Sequence, residues 1–489
     1  MDARRILAVG LTACAIVAGQ LLGPIAGTAQ AQVPVGQAVA PASAGNPEII
    51  PGHFIVRLKH GVVRDAFLAD HGLRASIRYS VINGFAARMS DVAAARLAHD
   101  ARVEAVSPDL VVHASGKPSG KPGKGGGGGG GGDSGGGGKC TVSGADMPSP
   151  QVTPTGVARV GADLATATGS GVTIAIIDTG IDACHPDLSP NYKGGKNLLV
   201  KGKGEPVDDN GHGTHVAGIV AAADNGFGVV GVAPDASLYA VKVLDSDGAG
   251  SLSTVIKGLD WAVKNGMDVA NLSLGALDLS LGSGPMCNAV ASAVAAGVTV
   301  VVAAGNAASE ALLFTPANCP DSLAVSAFVD SDGQGGGTGN PFVFNIDGIS
   351  YVEYDDSFAD SFSNFSDYCV DLDSDGACTD ADAPVVDLMA PGTVILSTMP
   401  TYAVTLTGEG IDLDYDTLTG TSMASPHVAG AVALYLETHP GASPADVRVA
   451  LAAAGECAGG GTGGSITCAA PWLDDPDFAW EPLLDAAGF

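Results

Sequence analysis

Basic residues are scarce in this chain: 23 Lys and Arg stand against 52 Asp and Glu, for a formal net charge of −29. A nucleic-acid backbone is recognised through a basic footprint, so a nucleic-acid partner is excluded. No C-x-x-C pair occurs, which argues against a zinc ribbon. His212 and His215 stand three apart, but without the H-E-x-x-H frame or third ligand of a metal-dependent hydrolase. Beyond Ile25 no apolar run is long and unbroken enough to cross a bilayer, so no membrane partner is expected once the leader is gone.

The charge is unevenly spread. Residues 1–124 hold 13 basic against 8 acidic residues, and residues 125–489 hold 10 against 44. The acidic part reads as the mature protein, its charge serving solubility. At the front, Arg4 and Arg5 precede the apolar run Ile6–Ile25, and Ala29-Gln30-Ala31 offers a small-x-small cleavage site. Residues 1–31 therefore read as an export signal, although the run is also long enough for an uncleaved anchor. A secreted, extracellular protein is expected, in an oxidising compartment. Cys14 leaves with the leader, and the eight remaining cysteines make an even set for disulfides. The expected pairs are Cys369–Cys378 and Cys457–Cys468 as short loops, with Cys287–Cys319 and Cys140–Cys184 closing longer ones.

Along the chain the pattern changes three times. Residues 48–113 form a small α+β unit: His53–Leu58 alternates as a strand, Val92–His99 fits a helix, and Val103–Val106 a further strand. Residues 114–139 are dominated by Gly, Lys, Ser and Pro, with Gly125–Gly132 uninterrupted, and offer nothing to bury against the entropy of ordering. Residues 140–455 alternate strand-like and helix-like segments. Val172–Asp178, Leu238–Leu244, Val269–Leu274 and Val298–Ala304 are apolar runs of strand length. His212–Ala222, Leu252–Asn265, Met286–Ala296, Ser422–Glu437 and Ser443–Ala454 have helical period. Buried strands separated by helices mean an α/β fold with a mostly parallel sheet covered on both faces. Residues 456–489 read as a short extension without clear elements.

Three polar residues stand where this pattern places chemistry. Asp178 follows the buried run Val172–Ile177, at a strand's carboxyl end. His212, in Asn210-Gly211-His212-Gly213-Thr214-His215-Val216-Ala217-Gly218, opens a helix, and so does Ser422, in Gly420-Thr421-Ser422-Met423-Ala424-Ser425-Pro426. Singly, each is weak: Asp178 could be a turn or cap, His212 a metal ligand with His215, and Ser422 a helix N-cap. Together with Ala303-Ala304-Gly305-Asn306, and in the order Asp, His, Ser, they closely resemble the subtilisin-like serine protease family, over roughly Gln151 to Gly455.

The resemblance implies a subtilisin-like three-layer sandwich with Asp178, His212 and Ser422 as a catalytic triad and Asn306 as an oxyanion donor. It also implies that Ser273-Leu274-Gly275 on one side and Gly248–Leu252, with Gly250, on the other flank the substrate backbone. Ala304 and Gly305 would line a small uncharged primary pocket. His215 and His427 are left as structural. Calcium is the implied cofactor, held by side-chain oxygens of Gln151, Asp187 and Asn225 and the carbonyls of Ala223, Phe227 and Val229, six hard donors. A second calcium loop or a solvated acidic loop remain open for Asp371–Asp382, within a stretch (Ser331–Asp382) longer than the plain family pattern. Asp245–Gly248 and Asp330–Gly333 read as turns.

The front unit resembles the family's inhibitory propeptide, a small ferredoxin-like α+β domain, through Ile50–Val56, Asn83–Ala87 and Val103–Asp109. Leu110–Ser115 would then lie in the active cleft, with self-cleavage near His113–Gly116. The expected partners are protein or peptide substrates and the chain's own propeptide, and the mature form is expected to be a monomer. Two other readings compete: a secreted binding protein on a dead protease fold, and a metal-dependent hydrolase using His212 and His215.

Overall fold

The computed structural model describes residues 46–115, 150–202, 204–337, 339–346, 349–366, 369–370, 383–402, 414–457, 461–462, 472–473 and 481–489. The leader, the glycine tract and the acidic run Asp371–Asp382 lie outside the described residues.

The front unit is an antiparallel sheet with two short helices. Its elements are β1 (Ile49–Leu58), α1 (Arg64–Asp70), β2 (Ala75–Arg78), β3 (Gly84–Arg88), α2 (Asp91–Leu97) and β4 (Val103–Ala114), with strands in the order β4-β1-β3-β2. Val56, Leu58, Phe67, Phe85, Leu97 and Val103 form its own core. The Ser90 hydroxyl caps α2 by accepting the Ala93 amide, as expected of serine at that position. β4 runs eight residues beyond the strand expected at Val103–Val106, because its second half finds partners in the large domain.

The large domain is built on β5 (Thr173–Asp178), β6 (Tyr192–Asn197), α3 (His212–Ala221), β7 (Ser237–Lys242), β8 (Ala249–Ser251), α4 (Leu252–Lys264), β9 (Val269–Leu272), β10 (Leu274–Leu277), α5 (Pro285–Ala295), β11 (Thr299–Ala303), β12 (Phe314–Thr315), β13 (Leu323–Val329), β14 (Ser357–Phe358), β15 (Leu388–Pro391), α6 (Thr421–Thr438) and α7 (Pro444–Ala454). The central sheet has the order β14-β13-β11-β9-β5-β7-β6, with β15 beside β13, and every pairing is parallel except β13 with β14. Its inner strands β5, β9, β11 and β13 read as near-continuous apolar runs because both faces are covered, one by α3 and α6, the other by α4 and α5. A fully buried Val, Leu or Ile contributes roughly 1.5–3 kcal/mol, so this double core dominates the stability.

Two expectations are refined. The single strand expected over Val269–Leu274 breaks at Ser273: β9 stays in the central sheet and β10 leaves it to line a surface cleft. The last residues, expected to lack clear elements, are part of the domain. Leu483, Leu484 and Ala486 are buried, and the Leu484 and Ala486 amides donate to the Met389 and Val160 carbonyls at 2.9 and 2.7 Å. The expected Cys287–Cys319 bridge is present. Cys184 and Cys457 are also disulfide-bonded, while Cys140, Cys468 and Cys378, their expected partners and that of Cys369, lie outside the described residues. Among the described residues no helix is long and apolar enough to cross a membrane.

Candidate active site

The sheet order reverses at β5, which pairs with β7 on one side and β9 on the other. At such a switch point a crevice opens beyond the carboxyl ends of the strands. Asp178, the last residue of β5, is delivered there, and α3 and α6 begin there with His212 and Ser422. Gly213 lets α3 approach the loop after β5, since a Cβ on it would collide with the Gly180 carbonyl.

Asp178 and His212 are buried and paired. The His212 Nδ1 lies 2.9 and 3.0 Å from the two Asp178 carboxylate oxygens, and the Thr179 amide donates to the same carboxylate at 2.6 Å. Burial works against charging this imidazole. The Asp178 charge and hydrogen bond, with Asp208 behind, more than offset it and lift the His212 pKa above its ordinary value. The other ring nitrogen, Nε2, is buried and without a partner. Ser422 donates its hydroxyl to the Ser273 carbonyl at 3.0 Å, and the Ser273 hydroxyl returns a bond to the Ser422 carbonyl at 2.9 Å.

Asn306 follows β11. Its Oδ1 accepts both the amide and the hydroxyl of Thr421 at 2.9 Å, which fixes the carboxamide with its NH2 group toward the cleft. That NH2 donates to the Ser115 carbonyl. Gly305, with φ +110°, makes the turn that presents Asn306, and a side chain there would also collide with Asn364.

The cleft is filled by the chain's own front unit. The end of β4 lies between β8 and β10, antiparallel to both: Val112 opposes Gly250, His113 opposes Ala249 and Gly275, and Ala114 opposes Leu274. The Ser115 amide donates to the Ser273 carbonyl at 3.1 Å. Val111–Ser115 thus runs along Gly248–Ser251 and Ser273–Gly275, and Ser115 is the residue at the Asn306 amide. Ala304, fully buried, bonds through its carbonyl to Asn364 at 2.9 Å.

His215 and His427 are fully buried and uncharged at neutral pH, their pKa values pulled by burial to about 3 and about 4. His215 Nε2 is engaged by the Ile395 and Asp416 carbonyls at 3.0 and 3.2 Å, and neither His212 nor His215 belongs to any group of three ligand-bearing side chains close enough to share an ion among the described residues.

The six residues expected around calcium come from the start of the large domain, the loop after β5 and the loop after α3. The Gln151 amide nitrogen donates to the Ala223 and Val229 carbonyls at 2.8 and 3.0 Å. Asn225 bonds the fully buried Asp187 carboxylate at 3.1 Å, the Val229 amide and Tyr415 hydroxyl reach Asp187 at 2.9 Å, and the Phe227 amide reaches Asn225 at 3.3 Å. The Ala223 and Val229 carbonyls meet at the Gln151 NH2 while the Asp187 carboxylate meets the Asn225 NH2, so these linked loops gather carbonyl, carboxamide and carboxylate oxygens, donor types that suit a hard cation. Elsewhere Asp330, Asp332 and Asp355 come within 4.8 Å of one another. Asp330 makes the expected turn by accepting the Gly333 amide, and Asp355 is taken up by Ser331 and Gly339.

Several functional positions escaped the sequence reading. Asp208, fully buried, accepts Thr179, Asn210, Gly211 and Thr214, and so ties the loop after Asp178 to the start of α3. Its setting, Asp208-Asp209-Asn210, looks like any polar turn. Thr421 lies beside Ser422, and its amide and hydroxyl together orient Asn306. Within the expected span His113–Gly116, nothing local singles out Ser115.

Two family profiles match the chain. A profile of the subtilase family matches residues 169–461, and one of peptidase inhibitor I9 matches residues 55–115. The chain belongs to the subtilase family, with an I9-type front domain. It is 40% identical over 284 residues to subtilisin E of Bacillus subtilis (strain 168), a match covering 58% of this chain and 59% of that protein. It is 39% identical over 303 residues to subtilisin BL of Lederbergia lenta, covering 61% and 89%. Its fold is similar to that of fervidolysin from Fervidobacterium pennivorans, a keratinolytic enzyme related to subtilisin, with a TM-score of 0.59 at 23% identity, covering 90% of this chain and 61% of that one.

Proposed function

We propose that the chain is the precursor of a secreted, monomeric serine endopeptidase that cuts itself and then other proteins with broad specificity. The observation that carries this reading is the Ser115 carbonyl on the Asn306 amide, at the end of a strand laid through the cleft past Ser422. In the first step Ser422 Oγ turns from Ser273 and attacks the carbonyl carbon, while His212 Nε2 takes its proton. Asp178 holds Nδ1 and stabilises the charged ring. Negative charge that grows on the carbonyl oxygen meets the Asn306 NH2 and the Ser422 backbone N–H at the start of α6. The Ser115–Gly116 bond breaks as the amine takes the proton from His212. Water then delivers a hydroxyl to the acyl group, and its other proton returns to Ser422 by way of His212.

Main-chain pairing to β8 and β10 reads little of the side chains, which supports broad use of protein substrates. Ala304 and Gly305 make the primary pocket small and uncharged. Gln151, Asp187, Ala223, Asn225, Phe227 and Val229 would hold calcium, which would tie three distant segments together and take no part in the chemistry.

The test is expression of the full chain beside Ser422→Ala. The first is expected to separate between Ser115 and Gly116, read by intact mass and terminal sequencing, and the second to remain one chain. A parent chain that stays whole, or a variant that splits at the same bond, overturns the proposal.

A further inference from the structure

Hydrogen bonding between the cleft and β4 does not stop with the residues beside Ser422. Asp109, six residues before Ser115, is buried to 1% exposure, and its carboxylate accepts the Ser253 amide at 2.9 Å and the Ser253 hydroxyl at 2.6 Å. Ser253 lies in the first turn of α4, where backbone N–H groups are free and the helix dipole favours an acceptor. Ser251 already caps this helix by taking the Thr254 amide, so Asp109 fills the vacancy that the helix's own cap leaves.

Leu110, 5% exposed, packs with Leu252 in the core cluster on that face of the sheet. Beside it lies a cavity of about 200 Å³ whose large-domain walls are Leu252, Leu279, Pro285, Asp278 and Ser280. Leu279 is 56% exposed, an apolar side chain on the rim of a cavity that Leu110 does not fill. The Asp278 carboxylate accepts the Ser280 amide at 2.9 Å and the Ser280 hydroxyl at 2.8 Å. The front unit closes the cavity from the other side with Pro47, Ile49, Ser107 and Pro108; what stays with the large domain when it leaves is Ser253 at the start of α4 and the apolar surface of Leu252, Leu279 and Pro285.

We propose that the mature cleft carries a distal recognition site, formed by Ser253 with Leu252, Leu279 and Pro285, that selects protein substrates bearing an acidic residue followed by a large apolar one at the seventh and sixth positions before the cut bond. The inference rests on the peptidase reading of the preceding section and narrows its substrate class. The occupant is defined by the strand already seated there: an extended chain continuous with the one in the cleft, with a short carboxylate for the helix start and an aliphatic or aromatic side chain for the apolar surface of Leu252, Leu279 and Pro285. The same site lets the tail of the cleaved front unit compete with such substrates.

The experiment uses the processed enzyme and fluorogenic amides of Asp-Leu-Val-Val-His-Ala-Ser, of the same peptide with Ala for Asp or Asp for Leu, and of Val-Val-His-Ala-Ser alone. Each change in the seven-residue peptide is expected to lower kcat/KM about tenfold, the scale set by a pair of hydrogen bonds to a carboxylate or by one large apolar side chain. Ser253→Ala removes one donor and is expected to shrink the Asp-to-Ala ratio, whereas Leu279→Asp is expected to shrink the Leu-to-Asp ratio. Equal kcat/KM for all three seven-residue peptides, with the five-residue peptide cleaved, overturns the distal site and leaves the peptidase reading intact. Failure of the enzyme to cleave any of the four peptides overturns both.

Discussion

The side-chain amide of Asn306 donates a hydrogen bond to the backbone carbonyl of Ser115, 191 residues earlier in the chain. One residue from the large domain thereby marks one bond of the front unit. Thr421 leaves Asn306 no other orientation, since it holds the carboxamide oxygen with two bonds of 2.9 Å.

Asn306→Ala is expected to slow self-cleavage about 10²–10³-fold, the usual loss when one oxyanion donor is removed. The strand in the cleft keeps its pairing to β8 and β10, so the variant should accumulate as a folded, uncut precursor. The time course of precursor conversion after refolding reads this, and conversion at the parent rate refutes the role given to Asn306.

The pH dependence follows from His212. Burial alone would lower its pKa; the adjacent Asp178 reverses the sign and holds it above the ordinary imidazole value. Activity needs the neutral ring, so the acid limb of kcat/KM for the mature enzyme is expected above the pH at which a free histidine titrates. In Asp178→Asn the raising charge is gone. The limb should move to lower pH even as kcat falls about 10⁴-fold. A kcat/KM profile from pH 5 to 9 (roughly the span over which histidine titrates) tests both parts, and a limb that stays in place excludes Asp178 as the partner that sets it.

Calcium is expected to raise thermal stability through the site around Gln151 and Asp187. Ser422→Ala is the background of choice, because it cannot digest itself. Chelation should lower its melting temperature, calcium should restore it, and Gln151→Ala should weaken that response. Ligand linkage gives about 2.7 kcal/mol at a hundredfold excess over Kd. Melting curves that coincide with and without calcium remove the site.

Much of the central architecture was legible because its signals are local. Apolar runs such as Val298–Ala304 mark strands buried on both faces, and the segments Leu252–Asn265 and Ser443–Ala454 matched helices to within a residue or two. β4 was read too short because the reason for its second half lies in β8 and β10, far along the chain. Ser273 looked like strand interior, yet it breaks the strand, since its carbonyl and hydroxyl both bond Ser422, 149 residues away. The last residues looked structureless because their amides pair with single backbone groups of Met389 and Val160 rather than with a patterned strand.

The amino-acid order alone determined the family's chemistry: a carboxylate ending one buried strand, and an imidazole and a hydroxyl each opening a helix. Each is set by its immediate neighbours, and helix starts and strand ends are short-range features. Only the tertiary structure decided which bond lies on Asn306, that Asp208 ties the Asp178 loop to the His212 helix, and that Asp109 caps α4. Those are meetings between single polar groups up to 191 residues apart. They depend on register and on the close approach of packed elements, which no local pattern of hydrophobicity records.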